Sequence, residues 1–133
     1  MTDANRLETA LSLLAHDTFA QNCPSRKILD HVTSRWGTLV LAALVESPYR
    51  FAQLRDKVAG ISEKMLSQTL KQLVRYGLVD RQVEATVPPQ VTYSLTKLGF
   101  ELATPLCELI HWIGQHTDDL FAAQRSYDEQ VAH

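Results

Sequence analysis

Long apolar runs, paired cysteines and glycine are all scarce in this chain of 133 residues. No stretch approaches the roughly 18 consecutive apolar residues that a membrane span requires, so no membrane partner is expected. The first twenty residues carry Asp3, Glu8 and Asp17 among spaced leucines, without a basic start leading into an apolar run. A targeting signal is therefore not expected, and a cytoplasmic location follows by default. The two cysteines, Cys23 and Cys107, are too few for a disulfide scaffold and lack the paired spacing of a zinc site. Five glycines leave little material for a phosphate cradle, and no GxGxxG, Gly-Lys-Ser/Thr, HExxH or GxSxG pattern occurs. Serine, histidine and aspartate are scattered. No enzyme, metal or cofactor is expected.

What the chain does have is an ordinary apolar fraction and an uneven distribution of charge. The length fits one domain with a real core. The net charge of −2 conceals 11 Lys and Arg against six Asp and Glu between residues 26 and 97, with acidic segments on both sides. A nucleic-acid surface needs only local positive potential, so the global balance does not exclude one.

Periodicity divides the chain into elements. Leu7, Ala10, Leu11 and Leu14 recur at helical spacing between Asn5 and Phe19, with Asp3 available as a cap. Pro24 suits a first helical position, which makes Cys23 the cap and turns Ile28, Leu29 and Val32 inward. Trp36 to Val45 is apolar nearly all round and reads as the buried central helix, ended by Pro48. The “YRF” stretch can add at most a short strand. Phe51, Leu54 and Val58 then keep helical spacing up to Gly60. Ser62 caps the next helix, whose inward face is Leu66, Leu70, Leu73 and Val74. After Gly77 the period changes from 3.6 to 2, predicting a two-stranded hairpin with Pro88 and Pro89 in its loop. Thr96 caps a long final helix with Leu102, Leu106, Leu109, Ile110 and Ile113 at helical spacing.

Two helices joined by a tight turn and followed by a hairpin constitute a winged helix-turn-helix. The expected fold is mainly α with a small β-hairpin, as one domain over 1–133. Its helix-turn-helix covers 51–76, its wing 78–96, and its terminal helices, 1–20 and 97–133, serve dimerisation. With the leucines inward, helical geometry turns Lys64, Ser67, Gln68, Lys71 and Arg75 outward. Ser67 and Gln68 can read base edges, the three cations can hold phosphates or guanines, and Glu63 can cap or accept from a cytosine. A polar row opposite a leucine stripe is also the solvated face of any amphipathic helix. Here the turn before it, the strand period after it, and seven Lys and Arg against three Asp and Glu between 50 and 81 favour double-stranded DNA.

The segment “ISEKMLSQTLKQLVRYGLVDR” followed by “VPPQVTYSLTKLG”, with “SRWGTLVLAAL” upstream and “CP” before it, resembles the HxlR-type family of bacterial transcription regulators, relatives of the MarR-like winged-helix proteins. The likeness covers residues 23 to about 113. It implies a homodimeric DNA-binding regulator with Ser62–Arg75 as recognition helix and Leu78–Leu95 as wing. The expected DNA-binding residues are Ser62, Lys64, Ser67, Gln68, Lys71, Arg75, Arg81 and Gln90. Gln90 is a departure, since the family often has a basic residue directly after the two prolines. The resemblance also implies a redox or electrophile response at the “CP” cysteine, Cys23. Free amides at a helix start and nearby Arg26 and Lys27 would stabilise its thiolate. An inert capping cysteine accounts for the same residues.

Surplus apolar stripes at both ends suggest a partner surface, and a twofold dimer is the commonest solution. Leu7, Leu11, Leu14, Leu109, Trp112 and Ile113 are the expected interface. A dimer would set two recognition helices about 34 Å apart, on a palindromic operator. The alternative is that the terminal helices pack on each other within one chain. Cys107 and His111 lie four apart, but two ligands are not a site and packing suffices. Trp36 and Trp112 read as core or interface anchors, with room for a small apolar effector nearby. A winged helix that binds protein instead of DNA is the competing function.

Overall fold

Local chemistry fixes where each helix begins. The computed structural model describes residues 3–12, 19–21 and 23–132, with the side chains of 9–12 outside that description. The first helix, α1, spans Asp3–Ser12, with Asp3 in its first turn instead of at the capping position. Leu14 lies outside the described residues, as does the Leu11 side chain. Helix α2, Pro24–Val32, starts with Pro24 in its first turn and Cys23 at the capping position. Cys23 caps with backbone alone: its Sγ makes no bond to the helix amides and lies 3.1 Å from Ser25 Oγ.

Of the three side chains expected to point inward from α2, only Val32 is buried. Ile28 and Leu29 are 41 % and 44 % exposed. The cause is where α2 sits. It rests at the edge of the molecule and is tied down at its C-terminal end, where His31 Nδ1 lies 2.6 Å from the Tyr76 hydroxyl.

Helix α3, Arg35–Glu46, is the centre of the fold. Ser34 caps it by accepting from Gly37 N, and Val40, Leu41 and Leu44 are fully enclosed. Strand β1, Tyr49–Arg50, leads directly into helix α4, Phe51–Lys57. Gly60, at φ +90°, makes the turn that residues with a Cβ avoid. Helix α5, Glu63–Arg75, follows, with Ser62 Oγ accepting from Met65 N at 3.1 Å. Leu54, Leu66, Leu70 and Leu73 join α3 in the core. Each contributes about 1.5–3 kcal/mol of burial relative to an exposed side chain.

Strands β2, Val79–Glu84, and β3, Gln90–Leu95, form the expected hairpin. The sheet nevertheless has three strands, in the order β1-β3-β2, because Tyr49 and Arg50 pair with Tyr93 and Thr92. The last helix, α6, runs Lys97–Val131, capped by Thr96 Oγ1 accepting from Gly99 N. The Thr96 hydroxyl also donates to the Gly77 carbonyl at 2.6 Å, and its amide to Leu78 O at 3.1 Å. These bonds clamp the start of α6 to the junction between α5 and the hairpin. Ala103 and Leu106 are buried, whereas the apolar residues further along α6 face outward. Among the described residues, no helix is long and apolar enough to cross a membrane.

Candidate nucleic-acid interface

Opposite its buried leucines, α5 presents a ridge. Lys64, Gln68, Lys71 and Arg75 follow one another at intervals of four, three and four, with Ser67 alongside, and all five are exposed. Ser62 is exposed at the start of the ridge. Its oxygen caps the helix, while its hydroxyl hydrogen is left to donate.

The ridge is bordered by two grooves. One, about 490 Å³, lies between α5 and the α2–α3 junction, lined by His31, Ser34, Gln68, Lys71, Gln72 and Arg75 among others. The other, about 320 Å³, lies between α5 and the hairpin, lined by Ser67, Lys71, Arg75, Arg81 and Tyr93. Lys71 and Arg75 stand on both. Arg81 faces Tyr93 across the β2–β3 register, which turns its side chain to the α5 side of the sheet. The expected residues Lys64 to Arg81 thus come together on one surface. Gln90 does not join that groove. Its Oε1 accepts from Arg50 Nη2 at 2.6 Å, on the other face of the hairpin.

Charges on α4 are used internally. Arg55 Nη1 donates to Glu63 Oε1 at 2.6 Å, tying α4 to the first turn of α5, so Glu63 already has a cationic partner. The Glu63 bond and the Asp56 charge raise the Arg55 pKa further. Lys57 Nζ lies 2.9 Å from Glu46 Oε2, and that bond lowers the Glu46 carboxyl while raising the Lys57 ammonium. Among the described residues, Lys64, Lys71, Arg75 and Arg81 form no ion pair.

Sequence reasoning missed His31, Ser34 and Tyr93 as lining residues, and counted Arg50 among the cations without giving it a role. The first three come from elements whose placement only packing sets. Elsewhere, Cys107, His111, Trp112 and His116 line an apolar groove of about 740 Å³ on α6, with the Trp112 and His116 rings stacked. No group of three metal-ligating side chains comes together among the described residues.

Comparison with known proteins gives this surface its context. The family model of the HxlR-like helix-turn-helix matches residues 31–120. The chain belongs to that family. It is 46 % identical over 114 residues to YtfH of Escherichia coli (strain K12), an HTH-type transcriptional regulator, covering 86 % of this chain and 88 % of the relative. Among solved structures it is similar to the transcriptional regulator ytfH from Salmonella typhimurium, with a TM-score of 0.79 and 44 % identity over 83 % of this chain and 98 % of that one. It is also similar to the redox regulator HypR in its oxidised form, with a TM-score of 0.65 and 30 % identity over 70 % of this chain and 96 % of that one. The fold is that of the winged-helix transcription regulators.

Proposed function

We propose that this HxlR-like protein regulates transcription by binding double-stranded DNA as a homodimer on a palindromic operator. The observation that carries the reading is the α5 ridge between two grooves, with four cations that no carboxylate neutralises among the described residues. An α-helix fits the major groove of B-DNA, and the phosphate backbones on either side would occupy the flanking grooves. In this reading Ser67 and Gln68 meet base edges, while Ser62, Lys64, Lys71, Arg75 and Arg81 hold backbone. Gln90 belongs to the wing.

Dimerisation is supported by apolar residues that the single chain leaves open. Leu7, Leu109, Trp112, Ile113, Leu120 and Phe121 are all exposed, on α1 and on the outer length of α6. A second copy would cover them. The likeness to HypR supports a redox or electrophile response, for which Cys23, half-buried at the start of α2, is the candidate. A small effector is the alternative signal. Alkylation of Cys23 that leaves operator affinity unchanged, with oxidants also silent, would remove that part of the reading.

The deciding experiment titrates a random duplex and a duplex selected from a pool at rising salt, with sedimentation of the free protein alongside. DNA binding should weaken log-linearly, with a slope near −0.9 per phosphate contact, and the selected duplex should bind more tightly. Flat or absent binding would favour a winged helix that docks on protein.

A further inference from the structure

We propose that Arg50, from strand β1 outside the helix-turn-helix, is a phosphate-binding residue of the wing, held in position by Gln90. The inference rests on the DNA-binding reading above and adds a cation contributed by another element.

The hairpin alone is poorly suited to approach a polyanion. Between Val79 and Leu95 its charged residues are Asp80, Arg81 and Glu84. Arg81 shares a face with Tyr93 and lines the groove beside α5. On the opposite face the register sets Asp80 beside Ser94, Gln82 beside Thr92, and Glu84 beside Gln90. That face holds two acids and no cation of its own. Phosphate would be repelled from it.

Strand β1 changes this. Arg50 pairs with Thr92, so its side chain rises from the same face, and it runs toward the hairpin tip until Nη2 meets Gln90 Oε1 at 2.6 Å. The partner it reaches is neutral. Among the described residues no carboxylate lies within 4.0 Å of the guanidinium, although Glu84 is directly across from Gln90. The positive charge is therefore fixed in place without being cancelled. An arginine has five N–H donors, so the bond to Gln90 leaves four, and the Gln90 amide N–H₂ adds a donor group beside them. An exposed guanidinium oriented by a neutral amide suits phosphate oxygens, which accept its donors in parallel. Gln90 holds the arginine where a carboxylate would have quenched it.

The test measures affinity and salt slope for wild type and three variants on one duplex. Arg50→Ala should lower affinity about tenfold near 0.15 M salt, in keeping with a lost charged hydrogen bond. It should also flatten the slope by about 0.9 per protomer, on cognate and random duplex alike. Gln90→Glu is the sharper variant, because it keeps the side-chain bond and the fold while pairing Arg50 with a carboxylate. It should lose as much affinity as Arg50→Ala, with at most a small drop in melting temperature from the new carboxylate facing Glu84 across the strand pair. In the Arg50→Ala background, Gln90→Arg should restore the slope. A wild-type protein that binds with a steep slope, beside an Arg50→Ala or Gln90→Glu variant whose slope is unchanged, overturns this inference and leaves the α5 reading standing. A wild-type protein with no salt-dependent binding overturns both.

Discussion

Gly99→Ala should destabilise the protein although it places a better helix former inside a helix. On helix propensity alone the change should add roughly 1 kcal/mol. At this position, however, an added Cβ would overlap the Leu78 carbonyl oxygen and come within 3.1 Å of both the Leu78 carbonyl carbon and Leu95 Cδ2. Backbone has to give, by roughly 1 Å, and such overpacking costs about 1–3 kcal/mol or more. The site makes the upper end apply, because Leu78 O also accepts from Thr96 N and the Gly77 carbonyl accepts from Thr96 Oγ1. Moving α6 strains both bonds. A net loss of about 2 kcal/mol corresponds to a fall of roughly 6–10 °C in melting temperature for a domain of this size. Thermal unfolding measures it, with Gly114→Ala as comparison, since among the described residues no other part of the fold comes within 4 Å of a Cβ there. Because Leu78 joins α5 to the wing, DNA affinity should fall as well. A Gly99→Ala protein that melts at or above wild type would refute the account of how the start of α6 is clamped against the junction between α5 and the hairpin.

Other perturbations separate the roles assigned to the site. Gln68→Ala should relax preference at one or two base pairs by about 1–3 kcal/mol, whereas Lys71→Ala should weaken binding to every duplex and flatten the salt slope; equal losses on cognate and random DNA for both would end the assignment of base reading to Gln68. Tyr76→Phe removes the bond between the end of α5 and His31, and chemical denaturation should register a loss of about 1 kcal/mol. For the Glu46–Lys57 pair, the carboxyl lies below its usual 4.5 and the ammonium above its usual 10.5. Its contribution is therefore present between those values, lost as pH falls through the depressed carboxyl pKa, and lost as pH rises through the raised ammonium pKa. Glu46→Gln should narrow its stability gap to wild type at both extremes, and a gap constant from pH 3 to pH 11 would contradict the pairing.

The parts of the fold legible in the sequence are those that local rules determine. Ser62 and Thr96 announce their helices because a hydroxyl before an amphipathic run satisfies first-turn amides wherever it occurs. Leu66, Leu70 and Leu73 had to share a face, and the polar ridge had to be opposite them. Strand β1 was harder to read, since two residues carry no period and the strand exists only because β3 offers it an edge. Ile28 and Leu29 fit an inward pattern that the peripheral seat of α2 leaves open. The bond from Arg50 to Gln90 spans 40 positions in the chain and leaves no local trace.

Charge shows most clearly why counting residues falls short of locating a surface. Seven Lys and Arg lie between residues 50 and 81, and by count alone they are equivalent. The structure divides them. Arg55 and Lys57, both on α4, are held by Glu63 and Glu46, and their fields are cancelled close to the protein. Arg50, Lys64, Lys71, Arg75 and Arg81 have no carboxylate partner among the described residues. The cancelled charges join one helix of the pair to its neighbours, and the uncancelled ones stand on α5 and the sheet. Positive potential is thereby removed from the supporting helix and kept on the elements that would meet a duplex. Arg55→Ala should accordingly lower stability while changing the salt slope of DNA binding far less than Lys71→Ala, even though each variant deletes one positive charge. Equal slopes for the two variants would mean that net charge, and not its placement on the ridge, governs association.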